Sequence, residues 1–176
     1  GHHGKGVSVW LSFCLYDILR QFKAIAIIKN DEVFAKKCQD HARQLKQNIH
    51  KNAWDGAWYR RAYFDDGTPL GSHKNDECKI DSIAQSWSVL SGAGEKERSL
   101  LALKSADEFL VQKEDGMIQL FTPPFDKSAV NPGYIKGYVP GVRENGGQYT
   151  HAAIWLIMAF AALDDKNRTW ELMQMI

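Results

Sequence analysis

Apolar residues recur at helical steps through most of the chain, and two kinds of helix alternate. Residues 8–29 carry an apolar face that wraps almost the whole way round, which predicts a deeply buried helix. Asn30-Asp31 then breaks and caps. Phe34, Cys38, Ala42, Leu45 and Ile49 follow at steps of three and four, with Lys, Gln, Arg and Asp on the other side. That second helix faces solvent, and an apolar inner helix followed by an amphipathic outer one stacks in layers. The alternation returns twice. Residues 81–90 form an apolar helix capped by Asp81 and ended by Gly92. Residues 95–111 form an amphipathic one with Leu100, Leu103, Phe109 and Leu110 inward. Residues 149–163 read as another inner helix, and an outer one starts at Arg168. No fixed period accompanies the repeat, which weighs against tetratricopeptide arrays.

Between helices the texture is β-like or irregular. Residues 54–70, with Trp58, Tyr59, Tyr63 and Phe64 before Asp65-Asp66-Gly67-Thr68-Pro69, predict a strand or hairpin with a sharp turn. Asp115-Gly116 turns into a short strand at 117–121. Residues 122–148 are rich in Pro and Gly, yet include Phe125, Tyr134 and Tyr138; a loop of that length and aromatic content is expected to be ordered and functional. The first helix needs partners the chain scarcely supplies, and residues 170–176 read as mid-helix. Residues 1–176 are therefore expected to be a single segment truncated at both ends.

Composition narrows the function. A chain of 176 residues fits one domain. A formal net charge of +1 argues against a nucleic-acid partner. The many aromatic rings suit packing on sugar faces, though cores use them too. Cys14, Cys38 and Cys78 are odd in number and far apart, so neither a disulfide framework nor a zinc site is suggested; a reducing compartment follows. Asp17, Arg20, Gln21 and Lys23 interrupt the apolar run of the first helix, against a membrane span. No signal peptide is visible. His41, His50 and His73 have no ligand-like spacing and read as surface residues, so no metal is expected.

The richest constellation runs from Lys136 to His151. A glycine-loosened loop, with Gly146 and Gly147, feeds a helix N-terminus whose amides and dipole make an anion site. Arg143 and His151 add donors, while Glu144, Asn145 and Gln148 offer pairs of groups for vicinal hydroxyls. The other reading is a loop held by an Arg–Glu ion pair with His151 in the core. Asp81 and Gln85 lie one helical turn apart and could face a site together, or serve as an N-cap and a satisfied core amide. Trp58, Arg60 and Arg61 line a rim subsite or belong to a packed hairpin.

Those segments resemble glycoside hydrolase family 94, the inverting phosphorylases of cellobiose, chitobiose and related β-glucosides. The resemblance rests on Gly133-Tyr134-Ile135-Lys136-Gly137-Tyr138 and on the run from Pro140 through Arg143-Glu144-Asn145-Gly146-Gly147-Gln148-Tyr149-Thr150-His151 to Ala153. Further matches are Ser8-Val9-Trp10-Leu11, the run from Trp58 to Gly71, Ile80-Asp81-Ser82-Ile83-Ala84-Gln85-Ser86-Trp87, and Phe121-Thr122-Pro123-Pro124-Phe125-Asp126. In flavour they are nearest to the phosphorylase-like C-terminal domain of cyclic β-1,2-glucan synthetases, and the resemblance covers essentially the whole chain.

It implies a mostly α fold, a partial (α/α)6 barrel of about half the helices with strand insertions at the rim. It also implies reversible phosphorolysis with inversion: a carboxylic acid protonates the glycosidic oxygen while inorganic phosphate attacks the anomeric carbon from the other face. The acid belongs to an Asp-Trp-Asn-Asp-Gly motif that falls before Gly1, so the chain itself holds no catalytic residue and the isolated segment is expected to be inactive. Gly1-His2-His3-Gly4-Lys5-Gly6 would continue that loop rather than be a tag remnant. By the same match His151, with Gly146 and Gly147, binds phosphate, and Tyr138 and Arg143 fall on sugar positions. No cofactor is implied beyond phosphate as co-substrate. Implied partners are a β-glucan or β-glucoside, the rest of the parent enzyme and, across an open half-barrel, a second copy. The expected location is cytoplasmic, on the cytoplasmic side of an inner-membrane-associated parent. One departure is Val7, where relatives carry Glu; it means weakened activity or a mere surface change. Two rivals stay open: a hydrolase on the same barrel with Asp81 or Glu144 as base, and a non-catalytic glucan-binding module.

Overall fold

The computed structural model describes residues 3–129 and 131–176. Helix α1 (Val9–Ile28) starts where the Ser8 hydroxyl accepts the Leu11 amide at 3.3 Å. It ends at Asn30, which takes a left-handed φ of 58°. Helix α2 (Glu32–Asn52) is capped by Asp31, whose carboxylate accepts the Phe34 amide at 2.9 Å. It turns Ala35, Cys38, Ala42 and Ile49 inward and packs along α1, while Phe34, predicted in that stripe, is exposed and Ala35 takes the inward place. This is the inner and outer pair expected, with one correction. Helix α1 buries only Val9, Phe13 and Ala26, while Leu11, Leu15, Ile18, Phe22 and Ile25 form an exposed stripe. Its apolar character reaches round the helix, but among the described residues its helical contacts are chiefly with α2 and α3, with Trp10 at its start reaching Trp155 of α5.

The predicted hairpin is present but short. Strands β2 (Ala62–Tyr63) and β3 (Pro69–Leu70) are antiparallel, and β1 (Val7–Ser8), immediately before α1, joins β2 as a third strand. Strand β4 (Ile80–Asp81) then feeds α3 (Ser82–Leu90), followed by α4 (Lys96–Leu110). In α4 the buried stripe is Ser99, Ala102, Leu103, Ala106 and Leu110. Leu100 and Phe109 are exposed, contrary to expectation, because each sits one residue out of that stripe. The strand expected at 117–121 divides in two: β6 (Met117–Ile118) pairs with β5 (Val111–Gln112), and β7 (Phe121–Thr122) pairs with β4. Sequence alternation cannot reveal this change of partner.

The long loop contains one 3-10 turn (Gly133–Gly137) and leads to α5 (Thr150–Ala162) and α6 (Lys166–Met173). Helix α6 begins two residues before the expected Arg168, where Asp165 accepts the Arg168 amide, and closes at Gln174. Helix α5 packs on α3 and α6, and Ile80, Leu103, Leu110, Ile118, Leu156 and Leu172 meet in the shared core. Layered helices with strand pairs at their ends fit the partial (α/α)6 barrel implied by the resemblance. No helix among the described residues is long and apolar enough to cross a membrane.

His50 and His73 are less passive than surface residues. The His50 ring lies 2.8 Å from the Ala93 carbonyl and 3.3 Å from the Glu95 carboxylate, tying α2 to the start of α4. The His73 ring and amide both meet Asp55. Cys78 is fully buried, and burial pushes its thiol up to about 12, so it stays protonated.

Candidate functional site

The N-terminus of α5 and the loop before it form an open cleft lined by Arg143, Gln148, Tyr149, Thr150, His151 and Ile154. No side chain caps α5, so the positive end of its dipole opens on this cleft. His151 is exposed in the first turn, its ring edge-on to Tyr149 at 4.5 Å and to Trp155 at 4.8 Å. It is therefore not a core histidine. Trp155 in turn meets Trp87 at 5.4 Å and Trp10 at 5.8 Å, which brings the start of α1 to the same end of the bundle.

Arg143 is exposed and shares the cleft with His151. Its backbone has a φ of 51°, a conformation L-residues other than Asn and Asp rarely adopt. The surrounding loop holds it there: Asn145 N–H donates to the Val142 carbonyl, Gly141 N–H to the Asn145 carbonyl, and Gly147 N–H to the Arg143 carbonyl. Its guanidinium stands 5.4 Å from the centre of the Tyr138 ring.

Gly146 and Gly147 are buried, and their role is spatial. Gly146 has a φ of 83°, and a Cβ there would lie 3.0 Å from the Phe121 carbonyl oxygen. A Cβ on Gly147 would lie 2.8 Å from the Gly141 carbonyl oxygen. The Gly147 amide is used within the loop, so an anion in the cleft would meet the first-turn amides of α5.

Asn145 is consumed by the loop as well. Its amide group donates to the Phe125 and Tyr138 carbonyls and its oxygen accepts the Phe125 N–H. Gln148 accepts the Ile118 amide at 2.7 Å, and Glu144 lies 3.4 Å from the Tyr149 hydroxyl.

The remaining candidates stand elsewhere. Asp81 caps α3 through the amides of Ile83 and Ala84 and accepts Arg61 Nη1 at 2.5 Å. Gln85 is fully buried; its Nε2 donates to the Tyr59 and Asp81 carbonyls and its oxygen accepts the Tyr59 N–H. Both are deployed as cap and core amide. Trp58 donates to the Gly71 and Lys79 carbonyls. Arg60 donates to Asp55 at 2.8 Å, to the Asn52 carbonyl and to the Tyr63 hydroxyl. Burial alone would raise the pKa of Asp55, but the amide and ring of His73, with Arg60 and Ser72, hold it below the usual carboxylate range.

Two carboxylates not among the candidate site residues are gripped by backbone amides. Asp65 accepts those of His3, Lys5 and Gly6, and Glu77 accepts those of Asp126, Lys127 and Ser128. The predicted continuation of the acid loop is described from His3 on; Gly1 and His2 lie outside the described residues. Val7 is exposed on β1. Among the described residues no cluster of three or more His, Cys, Asp or Glu could hold a metal ion.

The chain is 49% identical over its full length to the cyclic beta-(1,2)-glucan synthase NdvB of Rhizobium meliloti (strain 1021), of which it covers 6%. It is 35% identical over 97% of its length to the solabiose phosphorylase of Paenibacillus borealis, covering 22% of that protein. It is 28% identical over 96% of its length to an N,N'-diacetylchitobiose phosphorylase of Vibrio furnissii, covering 21% of it. The chain thus spans a small part of the length of these curated relatives. The description "Glycosyl hydrolase 94 superfamily, catalytic domain" fits residues 2–176, and the chain belongs to that family.

Proposed function

We propose that this chain is a segment of a catalytic domain that makes or breaks β-glucosidic bonds by inverting phosphorolysis, and that it supplies the phosphate grip and part of the sugar grip. The observation that carries this reading is the exposure of His151 and Arg143 in one cleft at the uncapped start of α5. An oxyanion there meets helix amides, a guanidinium and an imidazole. Relatives named as phosphorylases and as a glucan synthase support the same chemistry.

In the proposed reaction an oxygen of inorganic phosphate attacks the anomeric carbon while the bond to the leaving sugar breaks. The general acid, placed before Gly1 in the longer protein, delivers a proton to the leaving oxygen, and the product is α-glucose 1-phosphate. Phosphate is already nucleophilic and needs no base. The contribution of this segment is to hold a dianion beside an oxocarbenium-like centre, through position and charge. Tyr138 and Glu144 are assigned to the sugar and His151 to phosphate, while Arg143, at the sugar position, also faces the phosphate. The reaction needs no cofactor. The proposed setting is a parent enzyme whose catalytic domain lies on the cytoplasmic side of a membrane.

The test is to incubate the full-length protein with a β-linked glucan and inorganic phosphate. Glucose 1-phosphate release that depends on phosphate is expected, with none from the isolated segment. Release of free glucose without phosphate would instead mark a hydrolase. Glucan binding without turnover would mark a non-catalytic module.

A further inference from the structure

The loop that carries Tyr138, Arg143 and Glu144 is long, and its glycines would let it wander. Its entry is nevertheless tightly fixed. One oxygen of Glu77, Oε1, accepts the backbone amides of Asp126, Lys127 and Ser128 at 3.0, 2.7 and 3.0 Å. Oε2 accepts the Ser128 hydroxyl at 2.5 Å. Burial alone would raise the Glu77 pKa, but the hydroxyl and amides of this cluster outweigh it and bring the group down to about 2.

Glu77 has a firm mount. The next two residues continue the β4–β7 pairing, with Cys78 N–H donating to the Pro123 carbonyl at 2.7 Å and Lys79 N–H to the Thr122 carbonyl at 2.8 Å. From Ser128 the contacts run on toward the cleft. Its carbonyl accepts the Lys136 ammonium group. Lys136 belongs to the 3-10 turn that ends where Tyr138 N–H donates to the Ile135 carbonyl. Tyr138 then lies under Arg143.

We infer that Glu77 is a positioning residue for the sugar site: acting through Ser128 and Lys136, it sets the place of Tyr138 and Arg143 without touching substrate. This rests on the reading of that loop as the sugar- and phosphate-gripping element. A carboxylate suits the task because three convergent N–H groups need an acceptor with no proton of its own.

The test compares Glu77→Gln with the unaltered full-length protein. Glutamine has the same shape, but its amide group and neutral charge fit a ring of donors poorly. Hydrogen exchange at the amides of residues 126–128 and 138–148 should quicken, while α2 and α4 keep their protection. kcat/KM for glucan should fall about 10- to 100-fold, the scale of a displacement near 1 Å, with the larger share in KM. Unchanged exchange at 138–148, or an equal loss of protection throughout the protein, would overturn the inference. Lys136→Met cuts the same path at its second joint and carries the test should the first variant not fold. A wild-type KM and wild-type exchange in Lys136→Met would also overturn it. Exchange is read without turnover, so an unaltered protein that releases no glucose 1-phosphate would defeat the proposed reaction and leave this result standing.

Discussion

Arg143 holds its guanidinium carbon 5.4 Å from the centre of the Tyr138 ring, so a cation and an aromatic face five positions apart in sequence act as one unit. Cation and ring pairs at exposed sites are worth about 0.5–1 kcal/mol. Truncating either residue in the full-length protein should raise KM for glucan. The double variant should cost less than the sum of the single ones by about that amount. Strict additivity in a cycle of Arg143→Ala and Tyr138→Ala would show that the two act separately. Arg143→Gly should leave the midpoint of urea unfolding close to that of the unaltered protein, since glycine adopts the left-handed backbone freely. It should still lose glucan affinity, which separates the side chain from the strain beneath it.

Asp81 gives the opposite expectation. It is almost wholly buried, caps α3 and neutralises Arg61, whose guanidinium also stands 5.1 Å from the Phe121 ring centre. Replacing one partner of a buried pair leaves an uncompensated charge and costs about 3–5 kcal/mol. Asp81→Asn keeps an oxygen for the cap but not the charge, so chemical denaturation should show a loss near the lower end of that range. Any fraction that folds should bind glucan with near-normal affinity. A stable Asp81→Asn protein with a specific loss of glucan binding would return Asp81 to the sugar site.

The contrast between these residues marks how far the sequence could be read. The caps at Asp31 and Asp81 were legible, because side-chain acceptors stand there before apolar periodic runs. The cleft at the start of α5 was legible too, from glycines followed by an apolar helix. The burial of α1 was not. A helix apolar on most faces demands neighbours, and the reading that the chain scarcely supplies them agrees with the exposed stripe; which face stays uncovered could not be read from its own pattern. Nor could spacing distinguish Gln85 in a cleft from Gln85 locked on the backbone of Tyr59, because its partner is 26 residues away. Asp65 and Glu77 look like ordinary loop carboxylates until the segments they grip are folded beside them.

Acid should reveal the Glu77 cluster. Its folded pKa of about 2 lies below the ordinary 4.5. The carboxylate therefore contributes stability that is complete above the unfolded value and fades as pH falls through the folded one. Between those limits protection at residues 126–128, corrected for intrinsic exchange, should decline gradually, and it should vanish only as pH nears the lower limit. Loss of protection already above the ordinary carboxylate value would show that the amides owe their protection to something other than the Glu77 charge.

Asp65 allows a corresponding test at the other end of the chain. It sits in the β2–β3 turn and accepts the amides of His3, Lys5 and Gly6 at 2.8, 2.7 and 2.7 Å. Those amides, led by that of His3, hold its carboxyl below the usual range. The gripped segment runs directly into β1 and α1, where Trp10 meets the Trp155 ring that also packs on His151. Asp65→Ala should free these amides, so that their hydrogen exchange rises. Global stability should barely move, because the cluster lies at the surface. Asp65→Asn retains one acceptor oxygen and should fall between. If the general acid enters along this path, as proposed, full-length Asp65→Ala should lose kcat while KM for phosphate holds, since the cleft at His151 is untouched. Equal losses in both parameters would mean that the turn supports the whole site. Unchanged exchange at residues 3–6 would mean that β1 pairing alone fixes the segment.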